Sequence, residues 1–264
     1  RVGFHRYTYT KPNEPAMVID NLAIIMSLII NIIGSLICIY GVKYIAEHEE
    51  HHHLEKTRQP RFMFWLVIFL GAMNALVFSN NLVWLLFFWE ITTLCSFQLI
   101  SHNLTEEAIN NAGRALWMNM LGGVAFAIGI VYLFVSGGAD ALSIRYLIEN
   151  ASTVADKAVL AGISLIVFAG FTKSAQMPFQ TWLLGAMVAP TPVSSLLHSS
   201  TMVKAGVYIV IRLAPIYHNT LLSDLVAVAG AFTFLMTSVL AISQSNAKRV
   251  LAYSTIANLG LIIA

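Results

Sequence analysis

Charged side chains are scarce in this chain of 264 residues. Asp, Glu, Lys and Arg together make up 11% of it, whereas a soluble domain carries about 25%. The net charge of +2 is too small to indicate a nucleic-acid partner or a polybasic lipid anchor. Because 58% of the residues are hydrophobic, the composition predicts an integral membrane protein.

Motifs of cofactor and hydrolytic chemistry are also lacking. The chain has no glycine-rich phosphate loop, no CxxC pair and no haem-ligand pattern. Its two cysteines, Cys38 and Cys95, lie in apolar stretches, and we interpret them as packing residues rather than a disulfide or a metal site. The sequence therefore predicts neither a catalytic site nor a cofactor within this chain.

Apolar segments of about 20 residues, the length of a membrane-spanning helix, recur along the sequence. Most connections between them are short, which is typical of antiparallel neighbours in a helical bundle. We predict an all-α, polytopic transmembrane bundle that forms a single membrane domain over residues 1–264 and is an internal portion of a longer protein. The eight predicted helices are 17–44, 62–79, 82–101, 110–135, 158–187, 192–213, 221–243 and 247–264.

The segment 158–187 is unusual because it carries Lys173 near its middle and Pro178 five positions later. Proline removes a backbone donor and clashes with the preceding turn, so we expect this helix to break near 174–177. Freed backbone groups at membrane depth are tolerated only where protein buries them or where they line a wet cavity. Discontinuous helices of this kind mark transport sites. The next segment, 192–213, is predicted as one continuous helix.

Lys173, Lys204 and Glu90 place three ionisable groups inside apolar spans. Each costs about 2.5–3.5 kcal/mol at the bilayer centre, so such groups usually serve ion or proton movement. Burial favours the neutral form of Lys173, whereas a nearby Glu90 carboxylate favours the charged form. The pair is therefore predicted to act as a proton switch. The alternative is a static buried ion pair that fixes helix packing.

His198 and Lys204 share the sixth predicted helix. On a continuous helix, their spacing separates them by about 120° and about 9 Å. Thr201 lies three positions from each and could bridge them, and Ser199 adds a further polar group. Such a half-helix suits a hydrated proton wire. The alternatives are a core histidine bonded to a backbone carbonyl and a lysine that snorkels to the interface.

Lys248 and Arg249 open the last predicted helix. They are either an interfacial anchor pair or, in the case of Lys248, a group that passes a proton toward further helices. The polar side chains of Tyr253 and Asn258 on the same helix favour the second interpretation.

Other charged groups have simpler interpretations. We interpret Arg114 and Arg212, at the ends of predicted helices, as headgroup anchors, and Asp20 as either a helix cap or an interfacial acid. The run EHEEHHH at 47–53 contains ligand types suited to zinc or nickel but lacks a distant second pair, so a solvated loop is predicted there and no metal site.

Three blocks of this sequence resemble the antiporter-like membrane subunits of respiratory complex I, Mrp-type sodium/proton antiporters and energy-converting hydrogenases. They read FFWEITTLCSFQLI, TKSAQMPFQTWLLGAMVAPTPVSSLLHSSTMVKAGVYIVIRLAP and ISQSNAKRVLAYSTIANLGLI. The likeness covers roughly residues 20–264. The motifs KSAQ-x-P, PTPVS, H-x-x-TMV and LAYSTI occur together and in order, which makes the resemblance specific.

The resemblance implies a fold with two inverted repeats, each containing a broken helix, of which this chain would hold the first repeat and the start of the second. It also implies roles for single residues. Glu90 matches the family's glutamate, and Lys173 matches the broken-helix lysine that pairs with it. His198 and Lys204 match the connecting proton-path positions. Lys248 matches the central lysine that leads to the second half.

The block WLLGAM departs from the pattern of many relatives, which carry an acid where this chain has Leu184 and Gly185. Together with WMNMLGGVAFAIGI, it resembles the energy-converting hydrogenase branch most. The resemblance thus implies proton or sodium translocation in a prokaryotic inner membrane. The partners implied are other membrane subunits and a peripheral redox arm that holds iron–sulfur clusters and a nickel–iron centre.

Other functions remain open at this point. The chain could belong to complex I or to an Mrp-type Na⁺/H⁺ antiporter. It could also be a structural membrane subunit whose charges only hold helices together. A small-solute transporter would fit the broken helix, but no constellation for binding a solute is visible beyond the charges themselves.

Overall fold

The computed structural model describes residues 16–51, 57–151, 157–199 and 201–264. Within these ranges the chain is almost entirely helical and has no strand, only two isolated β-bridges. The prediction of an all-α fold is confirmed. The helices are α1 (Asn21–His51), α2 (Gln59–Phe78), α3 (Leu82–Ile100), α4 (Glu106–Gly137), α5 (Ile144–Glu149), α6 (Lys157–Lys173), α7 (Thr181–Gly185), α8 (Thr191–Ser199), α9 (Met202–Tyr217), α10 (Leu221–Ile242) and α11 (Ala247–Ile263).

Five helices in the described ranges are long and apolar enough to cross a membrane, namely α1, α2, α3, α4 and α10. Four of them lie close to predicted spans, while α1 continues well past the predicted end at residue 44. The predicted spans 158–187 and 192–213 are each divided into shorter pieces, which is why neither counts as one long helix. The last predicted span corresponds to α11, which has 17 residues.

Helix α6 lies between α4 and α9, and pairs of glycines set both crossings. A Cβ added to Gly129 would come within 2.7 Å of the Gly162 carbonyl oxygen, and one on Gly170 within 2.9 Å of the Gly206 oxygen. Only glycine permits backbones to approach this closely, as is usual where membrane helices pack. The helix that ends at Lys173 is therefore enclosed on two sides.

The predicted break is confirmed, because α6 ends at Lys173 and α7 begins only at Thr181. The intervening residues form turns and contain a cis peptide bond before Pro178. Several freed backbone groups find partners inside the protein. The Trp182 ring donates to the Thr172 carbonyl at 2.9 Å, and the Met177 amide donates to the Thr233 hydroxyl at 3.2 Å.

The prediction of one continuous helix over 192–213 is wrong. Helix α8 ends at Ser199, and α9 starts at Met202 after Thr201, whose φ of −130° and ψ of −97° are not helical. No proline marks this second break. The Thr201 hydroxyl instead donates to the Leu196 carbonyl at 2.6 Å, a local bond of the type that competes with helical backbone bonding. The separation computed for His198 and Lys204 on a straight helix therefore does not apply.

Arg212 is not a headgroup anchor. Its side chain is 6% exposed, and its Nη1 pairs with the Asp20 carboxylate at 2.6 Å. The other oxygen of Asp20 accepts the Ala23 amide at 2.9 Å, so the predicted cap at the start of α1 is confirmed. This pair fixes the far end of α9 to the start of α1.

The end of α1 carries part of the His-rich run 47–53, and residues 52–56 lie outside the described ranges. Glu49 is buried and accepts the Thr57 hydroxyl at 2.7 Å and the Arg58 amide at 2.9 Å. His102 lies 3.6 Å from the same carboxylate. Among the described residues, no group of three or more metal-ligand side chains comes together.

Candidate ion-path site

Lys173 is the centre of the candidate site and is 0% exposed. Its Nζ donates to the Trp89 carbonyl oxygen at 2.7 Å and to the Thr93 hydroxyl oxygen at 2.9 Å. The same atom lies 4.7 Å from the centre of the Trp89 ring, within range of a cation–π interaction. Two acceptors and an aromatic face thus partly offset the cost of burying an ammonium group.

The acceptors belong to one face of α3. The Trp89 carbonyl also accepts the hydroxyls of Thr92 at 2.7 Å and Thr93 at 3.2 Å. Trp89 and Thr93 are four positions apart, so they lie one above the other on the helix surface. The sequence therefore builds a polar notch in an apolar helix, directly opposite the end of α6.

Glu90 does not touch Lys173, although each charge acts electrostatically on the other. Both residues are described, and their charged groups form no ion pair within 4.0 Å. The Oε1 atom of Glu90 is buried and has no hydrogen-bond partner. The predicted pairing of Glu90 with Lys173 is not formed in this structure and stays a prediction, and one carboxylate oxygen of Glu90 lacks a partner.

Gly123 of α4 makes room for that carboxylate. A Cβ at this position would lie 2.9 Å from the Cδ atom of Glu90 and closer still to its Oε1. Any side chain at position 123 would therefore displace the carboxyl group.

Lys204 lies in the first turn of α9, directly after the second break. It is half-buried, and its Nζ donates to the carbonyl oxygen of Ser199, the last residue of α8. Carbonyls in the last turn of a helix lack intrahelical partners, and a cation there is favourable. Lys204 therefore bridges the gap between α8 and α9.

His198 lacks the backbone partner that a structural core histidine would have. Its Nε2 lies 3.2 Å from the Met187 sulfur, a weak partner, and its buried Nδ1 has none. Thr201 does not bridge His198 and Lys204, because its hydroxyl donates to Leu196. The Ser199 hydroxyl likewise bonds within α8, to Ser195.

Lys248 lies apart from the other sites. Its Nζ donates to the Ala189 carbonyl at 3.2 Å, while its amide is capped by Asn246 at 2.9 Å. It therefore ties the start of α11 to the turn before α8.

Sequence reasoning missed Trp89, Thr93 and Gly123 as neighbours of the charged groups. The four-residue spacing of Trp89 and Thr93 was visible, but nothing in the sequence showed which face of α3 meets Lys173. It also missed Gln176, which is 0% exposed and has an unpartnered Oε1 in the first break.

Comparison with known proteins places this arrangement in a family. Residues 79–264 match the profile described as NADH:quinone oxidoreductase/Mrp antiporter, transmembrane. The chain belongs to this family. Residues 13–63 match a second profile, the N-terminus of chain 5 of NADH-ubiquinone oxidoreductase (complex I). The predicted superfamily is thereby confirmed, and the chain is a membrane protein.

Named relatives include Na⁺/H⁺ antiporter subunit A1 of Staphylococcus haemolyticus (strain JCSC1435), 38% identical over 254 residues. The subunit of the same name from Staphylococcus aureus (strain Newman) is 38% identical over 251 residues. In both comparisons the match covers 94% of this chain and 30% of the relative. The chain thus spans under a third of the length of these relatives.

Solved structures show the same fold. The Mrp complex from Dietzia sp. DQ12-45-1b is 31% identical with a TM-score of 0.80, over 94% of this chain and 26% of that chain. The membrane-bound sulfane sulfur reductase, an archaeal respiratory membrane complex, gives a TM-score of 0.81 at 22% identity, over 93% of this chain and 49% of that chain. The second likeness concerns the fold alone.

Proposed function

We propose that this chain supplies part of the ion path of a multisubunit Na⁺/H⁺ antiporter in a bacterial plasma membrane, with Lys173 as the proton-exchanging group. The observation that carries this proposal is a fully buried lysine at the end of a broken helix, held by only two neutral acceptors. The identity of 38% to Na⁺/H⁺ antiporter subunits A1 supports the antiporter class.

Movement of Glu90 relative to Lys173 would control when Lys173 takes up and releases its proton. An ionised carboxylate favours the ammonium form of Lys173 when it approaches, and that preference weakens when it withdraws. Glu90 has a buried oxygen without a partner, so movement toward Lys173 would satisfy both groups. Lys173 would gain its proton in the close arrangement and release it in the separated one.

The second break continues the path. Lys204 and His198 lie on opposite sides of the gap between α8 and α9, and Lys248 lies beyond. No direct side-chain bond joins these three groups, so transfer between them needs water. The polar backbone of an interrupted helix can hold such water at membrane depth. Further membrane subunits and the second half of the path belong to this proposal as partners.

An energy-converting hydrogenase subunit is the second candidate. It is favoured by Leu184 and Gly185 in the WLLGAM block, where Gly185 packs against the Asn111 side chain. In that case a peripheral arm with iron–sulfur clusters and a nickel–iron centre would drive the same path. Co-purification of such subunits with the chain would select this candidate, whereas Na⁺-dependent proton movement without them would select the antiporter.

The test is Na⁺-dependent proton movement in sealed vesicles that contain the whole complex, with Glu90→Gln compared with the native protein. Glutamine keeps the shape but removes the charge, so we expect transport to fall by about tenfold or more. Glu47→Gln is the control, since Glu47 is 60% exposed and, among the described residues, forms an ion pair with Lys43 alone, on the same helix. Native transport in an assembled Glu90→Gln complex would favour a structural subunit instead.

A further inference from the structure

Two arginines, Arg58 and Arg61, lie at the end of the bundle where α2 begins and α3 ends. Arg58 precedes α2 and is half-buried, whereas Arg61 lies in its first turn and is exposed. Nη1 of Arg58 donates to the His102 carbonyl oxygen at 3.3 Å, and Nη2 of Arg61 donates to the Gln98 side-chain oxygen at 2.6 Å. In the described part of the chain neither guanidinium forms an ion pair. Because a guanidinium has five N–H donors, both side chains can still bind a ligand.

Glu49 lies close to the two arginines but does not pair with them. Its Oε1 accepts the backbone amide of Arg58 at 2.9 Å, and its Oε2 accepts the Thr57 hydroxyl at 2.7 Å. Among the described residues, the guanidinium of Arg58 has no carboxylate oxygen within 4.0 Å. Glu49 thus orders the backbone before α2 and leaves the positive charge of this end largely uncompensated.

Both arginines line a small recess of about 10 Å³. The other described residues of its lining include no carboxylate and are Phe62, Trp65, Gln98, Ser101, His102 and Leu104. A recess of this size holds about one oxygen-sized atom, so a ligand can place one oxygen there while the rest of it lies along the protein surface. The positive end of the α2 dipole adds to the two guanidiniums, since Arg58 forms no side-chain cap at this terminus. The recess therefore favours an anionic oxygen.

An apolar groove between α2 and α3 leads from the recess toward the middle of the two spans. By helical spacing, Arg61, Trp65 and Ile68 share one face of α2. Gln98 and Leu94 share one face of α3, and the two faces meet because Arg61 bonds to Gln98. Ile68 and Leu94 are 39% and 46% exposed, and a tryptophan near the end of a span is typical of the membrane interface. Positive charge at the helix ends with apolar surface beyond it fits a phospholipid better than a free anion.

We propose that this groove binds an anionic phospholipid, with the phosphate held by Arg58 and Arg61 and an acyl chain lying along Trp65 and Leu94. Basic pockets between membrane helices bind such headgroups. A zwitterionic lipid is disfavoured, because its cationic group would meet two guanidiniums that no carboxylate of the described residues pairs with. The site does not depend on which ion the complex moves, so its failure would leave the proposed function intact, and the reverse also holds.

The test uses the whole complex in bilayer nanodiscs that mix phosphatidylglycerol with phosphatidylcholine, with brominated acyl chains on one of the two lipids at a time. Bromine quenches the fluorescence of nearby tryptophans, and the difference between the native complex and Trp65→Phe isolates the signal of Trp65. We expect this signal to report a preference for phosphatidylglycerol of about fivefold or more. Arg61→Gln should lower the preference by about fivefold, because one cation beside the headgroup is lost.

Lys43→Gln is the matched control, since it also removes one positive charge but from an 83% exposed side chain outside the recess. Its preference should stay near native. Arg61→Lys keeps the charge and should retain most of the preference, which separates a lost charge from a disturbed fold.

Three results would overturn the proposal. Equal quenching by the two lipids in the native complex would mean that a partner subunit or a free anion occupies the groove. Loss of the preference on addition of inorganic phosphate would assign the arginines to a free anion. An unchanged preference in Arg61→Gln would show that this arginine does not hold the headgroup.

Discussion

The two helix breaks place their lysines in different surroundings. Lys173 is the last residue of α6 and is fully buried. Its Nζ donates hydrogen bonds to a carbonyl and a hydroxyl of α3. Lys204 lies in the first turn of α9 and is half-buried, and its Nζ donates a hydrogen bond to the carbonyl of Ser199 across the second break. The first lysine joins two distant helices, whereas the second joins two halves of one predicted helix.

Under the proposed function, this difference gives Lys173 the role of a switch and Lys204 that of a relay. An enclosed ammonium depends on every nearby charge, because little water is present to screen it. The state of Lys173 can therefore follow the position of Glu90. A half-buried ammonium is stabilised by partial hydration, so the charge of Lys204 is expected to depend less on a single neighbouring group.

The largest loss of transport is expected when arginine replaces Lys173, and the same change at Lys204 provides the comparison. Lys173→Arg forces a larger, permanently charged group into an enclosed site, so transport should fall by about tenfold or more. Lys204→Arg has room at its half-buried position and keeps the bond to Ser199, so it should retain more transport than Lys173→Arg. Proton movement in vesicles measures both. Equal losses in the two variants would show that the sites do not differ as described.

A smaller effect is expected at Gly123. The Cβ of Gly123→Ala would meet the Glu90 carboxyl group and push it from its place, so transport should fall by about fivefold. Gly113→Ala on the same helix is the control, because nothing lies within 4 Å of its added Cβ. That change should leave transport near native and favour the helix by about 0.5–1 kcal/mol. Native transport in Gly123→Ala would mean that the Glu90 position is unimportant.

Thr93→Val removes one of the two acceptors of Lys173. A hydrogen bond to a charged group contributes about 1.5–3 kcal/mol, so the ammonium form is weakened and transport should fall by about threefold. Thr92→Val is matched to it, since the Thr92 hydroxyl also donates to the Trp89 carbonyl but does not contact Lys173. A Thr92→Val variant as impaired as Thr93→Val would point to α3 packing rather than to the lysine.

The smallest effect on transport is expected at the anchor of α9. Arg212→Met leaves the Asp20 carboxylate without its partner and should lower stability by about 2 kcal/mol, less than for a fully buried pair because Asp20 is 44% exposed. Thermal unfolding of the complex measures this loss. The double variant Asp20→Asn with Arg212→Met should recover part of this stability, because no unpaired carboxylate remains. If the stability losses of the two single changes simply add in the double variant, Asp20 and Arg212 do not stabilise each other.

The sequence predicted the helical class and the first break, because apolar length and Pro178 act locally. It did not predict the second break, because local bonds such as that from Thr201 to Leu196 replace helical bonds there without a proline. The separation of Glu90 from Lys173 could not be predicted from the sequence either. It depends on how α3, α4 and α6 pack, and on the space that Gly123 leaves.

The most direct test of the central claim is proton transport by the assembled complex with Lys173→Met. Methionine fills a similar volume but cannot carry a proton, so we expect transport at the background level with the complex intact. Native transport in that variant would make Lys173 a packing residue and would move the proton path elsewhere.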